Sequence, residues 1–175
     1  MNSNQILIKV LKNTWILFFI PLIYSCHKST DFSTTPAIIY KNFLQHKTSK
    51  GKDSTGVLTI SFTDGDGDIG LGEGDTLYPY NRGNEFYYNF IIKYFEKQKG
   101  VFKEDTLFFK SNARIPNLTP QGKNTALKGE ISYELFDINY TSTSTHDTIR
   151  YEAYIVDRAL NKSNVITTDE IIISK

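Results

Sequence analysis

The chain has 175 residues, 39% hydrophobic and 22% charged, and its 20 Lys and Arg against 19 Asp and Glu give a formal net charge of +1. This balance excludes a strongly basic nucleic-acid-binding protein and a highly charged disordered chain. The single Cys excludes an intramolecular disulfide, and with only three scattered His it also excludes a zinc site of the usual Cys/His spacing.

The first 25 residues have the pattern of a secretory signal peptide. Lys9 and Lys12, in a segment without acidic residues, precede an apolar run at 15–24. This order is typical of signal peptides, and about ten apolar residues are too few for a membrane-spanning helix, which needs about 20. We therefore predict that residues 1–25 are removed from the mature chain.

A lipidation motif ends this segment. The residues Ile23-Tyr24-Ser25-Cys26 resemble the lipobox of bacterial lipoproteins, in which an aliphatic residue, a tolerant position and a small residue precede the lipidated cysteine. Cys26 is the predicted lipidation site, the alternative being an unmodified cysteine. Acyl chains such as palmitate would anchor the chain stably, because each buried methylene contributes about 0.8 kcal/mol. No Asp follows Cys26 directly, which favours the outer membrane, with a periplasmic or a surface-facing orientation.

The polar residues 26–36 are predicted to form a flexible tether, and residues 37–175 to form one domain. Short alternating runs separated by turn residues predict an all-β fold, an antiparallel β-sandwich of about seven strands. The predicted strands lie at 37–43, 57–63, 85–95, 106–110, 127–137, 148–156 and 165–173. The run at 90–98 fits a helix as well as the end of a long strand. The inward-facing residues of the two clearest runs are predicted to be Leu58, Ile60 and Phe62, and Tyr151, Ala153 and Ile155.

An Asp followed by Ser or Thr recurs four times beside predicted turns. One interpretation is a turn Asp that leads into a strand. The other rests on a resemblance to the acceptor pattern for O-glycosylation in Bacteroidota, whose secreted proteins are modified on the hydroxyl residue. The candidate glycosylation sites are Ser54, Thr76, Thr106 and Thr148.

The most distinctive segment is the acidic loop at 64–75, in which five carboxylates and five glycines occupy twelve positions. Its alternating acids have the spacing with which a tight turn directs oxygens at one hard cation, and calcium takes six to eight oxygen ligands. The segment resembles Asp-x-Asp-x-Asp calcium loops but departs from an EF-hand in residue pattern and in its flanking strands. The alternative is a solvated turn without an ion. The candidate calcium ligands in this loop are Asp64, Asp66, Asp68, Glu73 and Asp75.

A second polar cluster occupies residues 157–164, after the predicted strand at 148–156. It fits a hairpin turn in which Asp157 and Asn161 bond to backbone amides. Alternatively, Asp157 or Asn161 completes the metal shell at the end of the sandwich.

Three blocks together carry a resemblance to a known group. The lipobox, the sequence SFTDGDGDIGL at 61–71, and IVDRALNKSN at 155–164 followed by Thr167 resemble a group of uncharacterised Bacteroidota lipoproteins with an immunoglobulin-like domain. The resemblance implies an immunoglobulin-like β-sandwich and a location in the cell envelope. It carries no established activity.

These observations favour an outer-membrane-anchored lipoprotein that acts as a calcium-stabilised interaction or accessory module of the cell envelope. Its expected partners are the membrane, through the lipid, and an envelope protein or glycan, but no nucleic acid. A carbohydrate-binding domain is the alternative, because a flat row of exposed aromatic rings would make a sugar platform. An envelope hydrolase has less support, since the sequence has no nucleophile elbow, and we predict no catalytic residues. The tyrosines of the sugar-binding alternative are Tyr78, Tyr80, Tyr87 and Tyr88.

Overall fold

Two antiparallel sheets make up the structure, a computed structural model that describes residues 32–105, 111–119, 125–138 and 145–175. The predicted signal peptide, Cys26 and the predicted strand at 106–110 lie outside the described residues. Within the described ranges, no helix has the length and apolarity needed to cross a membrane. The strands are β1 Ala37–Lys47, β2 Asp53–Asp64, β3 Phe90–Gln98, β4 Val101–Glu104, β5 Leu127–Leu135, β6 Thr148–Ile155, β7 Ile166–Thr167 and β8 Ile171–Ile172, with a 3-10 helix at Glu85–Tyr87.

The strand order confirms the predicted antiparallel β-sandwich. One sheet has the order β1-β2-β5, and the other has β4-β3-β6-β7, with β8 also paired to β6. Every pairing between these strands is antiparallel. The chain changes sheet three times, between β2 and β3, between β4 and β5, and between β5 and β6.

The core lies between the sheets and follows the predicted alternation. In β2, Leu58 and Ile60 are fully buried and Phe62 is nearly so, because the period of two directs them all to one face. In β6, the predicted inward residues are also fully buried. The ring of Phe43 from β1 stacks on Tyr151 from β6 with centroids 5.5 Å apart, so that aromatic packing joins the two sheets.

Two predicted strands differ in the structure. The strand predicted at 85–95 begins only at Phe90, and the run at 90–98 is a strand, because its alternate residues are buried with a period of two. The strand predicted at 165–173 is divided into β7 and β8. The division falls at Thr168, whose backbone amide donates to the Tyr151 carbonyl and whose Oγ1 accepts from the Tyr151 amide.

β4 is a strand that the sequence did not predict. It pairs with β3 through a hairpin in which Lys99 has a φ of 53° and Gly100 a φ of 83°. Two consecutive positive φ values match the twist of the flanking strands and favour Gly at the second position. The hairpin lies at the opposite end of the sandwich from the acidic loop, because β3 runs from Phe90 to Gln98 away from that end.

Several connections meet at the other end, which we call the acidic end: the loop after β2, the entry to β3 and the turn after β6. The start of the described chain also lies there. The carbonyl of Ser33 accepts a hydrogen bond of 2.8 Å from the amide of Gly65, and Pro36 is buried. Residues 33–36, predicted to belong to the tether, therefore already pack against the domain.

A buried hydroxyl in the core provides a test of this packing. Tyr151 is fully buried, and none of the described residues forms a hydrogen bond with its Oη. Because an unsatisfied buried polar group costs about 1–3 kcal/mol, we expect Tyr151→Phe to raise the free energy of unfolding by about 1 kcal/mol. Urea denaturation measures this change.

The neighbouring Tyr94 supplies the matched control. Its hydroxyl donates to the buried carboxylate of Glu96 at 3.2 Å, so Tyr94→Phe is expected to lower the free energy of unfolding by about 1–2 kcal/mol. Equal losses of stability in the two variants would contradict the assignment of the Tyr151 hydroxyl as unsatisfied.

Candidate metal centre

Three carboxylates from separate parts of the chain converge at the acidic end. Asp64 is the last residue of β2, Asp68 lies in the loop that follows, and Asp157 comes directly after Val156 at the end of β6. One oxygen of each carboxylate lies within 4.8 Å of the other two. Asp64 and Asp157 are buried, and Asp68 is partly buried. We call these residues the aspartate cluster.

The acidic loop is shaped by its own aspartate and by glycine. The amide of Asp68 donates to Oδ2 of Asp64 at 2.9 Å, which closes a tight turn over four residues. Gly67, inside this turn, has a φ of 68°, and a Cβ there would overlap the carbonyl oxygen of Thr125. Only glycine fits this combination of backbone angle and close approach.

The turn after β6 brings the third carboxylate to the cluster. Asp157 Oδ1 accepts from the backbone amide of Asn161 at 2.7 Å, and its Oδ2 accepts from the Asn161 side-chain amide at 2.9 Å. This is the predicted hairpin turn as far as Asp157 is concerned, whereas the Asn161 side chain bonds to the Asp157 carboxylate instead of a backbone amide. The same carboxylate also belongs to the aspartate cluster, so Asn161 acts as the donor that orients it.

The loop and the turn are bonded to each other through Asp68. The amide of Ala159 donates to Asp68 Oδ2 at 3.0 Å, and the amide of Arg158 donates to the Asp68 carbonyl at 3.3 Å. β2 belongs to one sheet and β6 to the other. The cluster is therefore held where the ends of the two sheets meet.

Several carboxylate oxygens at this end lack a donor. Oδ1 of Asp64, of Asp66 and of Asp68 is buried without a hydrogen-bond partner among the described residues. Asp64 is the clearest instance, since its side chain is fully buried and its other oxygen is bonded within the acidic loop. A buried carboxylate oxygen without a partner is costly unless a cation is present.

The pKa values of two cluster residues reflect the same lack of donors and cations. Burial, together with the charges of Asp66 and Asp68, raises the pKa of Asp64 to about 6. Burial also raises the pKa of Asp68, and the charges of Asp157 and Asp66 add to that rise. Each shift has the sign expected where carboxylates crowd together without a compensating positive charge.

The guanidinium of Arg158, whose charge acts on Asp68, is already paired with Asp75. The guanidinium of Arg158 donates to Asp75 Oδ2 at 2.6 Å and to Oδ1 at 3.1 Å, and the Gly72 amide also donates to Asp75 Oδ2. Asp75, predicted as a calcium ligand, is thus not brought into the aspartate cluster, because both of its oxygens face donors. Glu73, another predicted ligand, is exposed.

Among the other predicted ligands, Asp66 lies close enough to raise the pKa of Asp64 and of Asp68, and Asn161 orients Asp157. Sequence reasoning missed the role of Arg158 at this end. Its signal was its position directly after Asp157, although adjacency alone does not predict a bond to a carboxylate 83 residues away.

Arg114 was also missed. Its guanidinium donates to the carbonyls of Asp75, Tyr80 and Tyr87, and lies 5.0 Å from the centroid of the Tyr87 ring. These bonds fix the loop between β2 and β3. No spacing in the sequence connects this arginine with that loop.

The four tyrosines proposed as a sugar platform are not arranged as a flat row. Tyr78 is 84% exposed, whereas the hydroxyl of Tyr80 donates to the carbonyl of Arg158. The rings of Tyr87 and Tyr88 meet edge to face at 78°.

The candidate glycosylation sites have different environments. Ser54 Oγ donates to the His46 carbonyl, Thr148 Oγ1 donates to Asp147, and Thr76 is exposed in the loop after β2. Thr106 lies outside the described residues.

No family model matches the sequence, and no curated protein or solved structure is significantly similar to it.

The raised pKa of Asp64 predicts how stability depends on pH when no metal is bound. Its folded-state pKa of about 6 lies above the ordinary value of 3.8, so protonation favours the folded state. In chelator, the stability that Asp64 contributes is fully present below about pH 3.8 and is lost as the pH rises through 6. We expect Asp64→Asn to be more stable than the wild type by about 2 kcal/mol at pH 7, with the difference disappearing near pH 4.

Urea denaturation at a series of pH values measures this difference. Asp137→Asn is the matched control, because Asp137 is exposed after β5, at the end of the sandwich opposite the cluster, and its φ of 53° suits Asn. A constant difference between the wild type and Asp64→Asn from pH 4 to pH 7 would contradict the electrostatic account.

Proposed function

We propose that this chain is a lipid-anchored protein of the outer membrane whose β-sandwich is a calcium-stabilised interaction or accessory module. The observation that carries the metal part is the aspartate cluster, with oxygens within 4.8 Å of one another and a fully buried Asp64 that has an unpartnered oxygen. The anchor rests on the lipobox around Cys26.

The chemistry of the cluster supports calcium. All its donors are carboxylate oxygens, which suit a hard cation, and calcium accepts irregular shells of six to eight oxygens completed by carbonyls and water. Magnesium requires a near-ideal octahedron and dehydrates reluctantly, which makes it the poorer match for carboxylates collected from two loops. A bound cation would give the buried Oδ1 of Asp64 a partner and offset the repulsion that raises its pKa.

The proposed role of the cation is structural. It would connect the loop after β2 with the turn after β6, and thus the ends of both sheets. An envelope module needs a fixed set of loops for recognition, and a cation shared between loops fixes them without a larger core. The carbohydrate-binding alternative has less support, because Tyr80 is used in an internal hydrogen bond and the Tyr87 and Tyr88 rings are not coplanar.

Calcium binding provides the first test. In isothermal titration calorimetry we expect the mature chain to bind calcium, and calcium at 100 times its Kd should raise Tm by about 5–10 °C. Asp64→Asn and Asp157→Asn should each reduce this rise severely, because each removes a charged ligand. Calcium chloride and chelator are compared in the same melting experiment.

The substitutions separate a metal effect from a folding defect. In chelator, Asp64→Asn should be at least as stable as the wild type, while Asp137→Asn should keep the full response to calcium. If wild-type Tm were the same in calcium and in chelator, the structural metal would be refuted.

The anchor is tested separately with the full chain expressed in a bacterium that processes lipoproteins. We expect metabolic labelling with an alkyne analogue of palmitate to modify the wild type and leave Cys26→Ala unlabelled, because Cys26 is the only cysteine. Ser29→Ala, three residues further along the chain, is the control and should be labelled normally. An unlabelled wild type would exclude the lipid anchor.

A further inference from the structure

An apolar tip projects from the loop between β2 and β3. Leu77 is 79% exposed and Tyr78 is 84% exposed, which makes them the two most exposed of the large hydrophobic side chains in the described residues. They occupy a turn closed by a hydrogen bond of 2.8 Å from the Tyr80 amide to the Leu77 carbonyl. We call Leu77 and Tyr78 the apolar tip.

The tip is held in place on both sides. Before it, the Asp75 carboxylate is paired with Arg158 and the Asp75 carbonyl accepts from Arg114. After it, the Tyr80 carbonyl accepts from Arg114, and the Tyr80 hydroxyl donates to the Arg158 carbonyl. The loop thus presents two adjacent apolar side chains to the outside from a base that is bonded at both ends.

The position of the tether places the membrane near this end of the domain. The Ser33 carbonyl accepts from the Gly65 amide, so the chain enters the domain beside the acidic loop. Cys26 precedes Ser33 by seven positions, and a fully extended chain over seven positions spans at most about 25 Å. A lipid on Cys26 would therefore keep the acidic end, which carries the apolar tip, within about 25 Å of the bilayer surface.

The charge of the acidic end determines whether the apolar tip can approach an anionic lipid surface. The aspartate cluster and Asp66 add four negative charges at the same end, where Arg158 is neutralised by Asp75 and Arg114 adds one positive charge at the base of the tip. An anionic lipid surface would repel this end until a cation offsets the charge. Arg158 also connects the two features, because it bonds to Asp75 at the base of the tip and to the Asp68 carbonyl in the acidic loop.

We infer that the apolar tip inserts into the headgroup region of the membrane that holds Cys26, and that calcium at the aspartate cluster promotes this insertion. The ligand is a phospholipid surface. Tyr suits such a site, because its ring enters the apolar boundary while its hydroxyl stays among the headgroups, and Leu adds apolar area. The inference rests on the proposed lipid anchor and calcium site, and it adds a fixed orientation of the domain on the bilayer.

The test uses the mature chain, residues 26–175, which has no Trp because the one Trp of the sequence is Trp15. Tyr78→Trp then gives a single tryptophan, placed at the tip, whose emission is distinct from that of the tyrosines. Val101→Trp is the matched control, since Val101 is 62% exposed in the hairpin at the opposite end of the sandwich. Cys26, the only thiol, couples each variant to maleimide lipid in vesicles of phosphatidylethanolamine and phosphatidylglycerol whose acyl chains are brominated. This coupling holds the chain at Cys26 whether or not cells acylate it.

In calcium, we expect the Tyr78→Trp emission to shift to the blue and to lose most of its intensity to the brominated lipid, while the Val101→Trp emission stays unchanged. Chelator should reverse the quenching at position 78. Replacing Leu77 by Ser in the Tyr78→Trp chain should also reduce the quenching. Circular dichroism of each variant confirms that the sandwich is folded.

If the Tyr78→Trp chain had equal emission with brominated and ordinary lipids, membrane insertion would be overturned. The apolar tip would then be assigned to contact with a protein partner. Quenching that persists in chelator would overturn the role of calcium. Because coupling through Cys26 is chemical, neither result depends on acylation in cells, which the palmitate label measures. Calorimetry reports calcium binding independently of lipid.

Discussion

Crowded negative charge at one end of the sandwich is the constraint on which the loops of this protein depend. The charges of the neighbouring aspartates add to the burial that raises the pKa of Asp64 and of Asp68, and the adjacent guanidinium of Arg158 is paired with Asp75. Those neighbours include Asp66 and Asp157. Isolated buried carboxylates are expensive, and crowding adds repulsion to the cost of desolvation. The backbone tolerates the arrangement because amides of the loop and of the turn donate to three of these carboxylates.

The acidic residues at this end have different roles, and the positions of nearby hydrogen-bond donors explain why. Asp75 binds Arg158 through both oxygens and closes the loop after β2. Asp157 uses its oxygens to cap its own turn, yet it stays within reach of Asp64. Asp64 is fully buried and retains an oxygen without a donor. Residues of one chemical type thus serve as an ion-pair partner, a turn former and a candidate ligand, and the positions of the nearby donors determine which.

Much of the fold was predictable because burial in a sandwich has a period of two. The alternation in β2 and β6 identified inward faces that the structure confirms, and burial also alternates along β3, although its sequence does not alternate between apolar and polar residues. The short elements were not predictable. The division between β7 and β8 depends on Thr168 bonding to a residue in another strand, and the hairpin before β4 depends on a positive φ at Lys99.

The sequence predicted which type of residue forms the site, but not which individual acids belong to it. Spacing in the acidic loop pointed to Asp64 and Asp68, and the polar turn pointed to Asp157, which lies with them in the cluster. Asp75 was also predicted as a ligand, and what removes it from the cluster is Arg158, which reaches the loop only after the chain has crossed between sheets. When ligands come from distant segments, contacts of this kind decide which acids take part. Counting the acids of one loop therefore overestimates the number of ligands.

The core limits what a cation at the cluster can do. The buried apolar cluster is built mainly from strand residues, and only Ile69 comes from the acidic loop. Core residues such as Leu58, Ile60 and Tyr151 do not depend on neutralisation of the aspartates. The turn bonds to Asp64 and Asp157 come from backbone amides. The core of the sandwich therefore does not include the aspartate cluster, and a bound cation would act on the free energy of the acidic end. A cation there would restrict the conformations of the loops at the acidic end and leave the core of the sandwich as it is. It would therefore affect recognition by these loops more strongly than it affects folding.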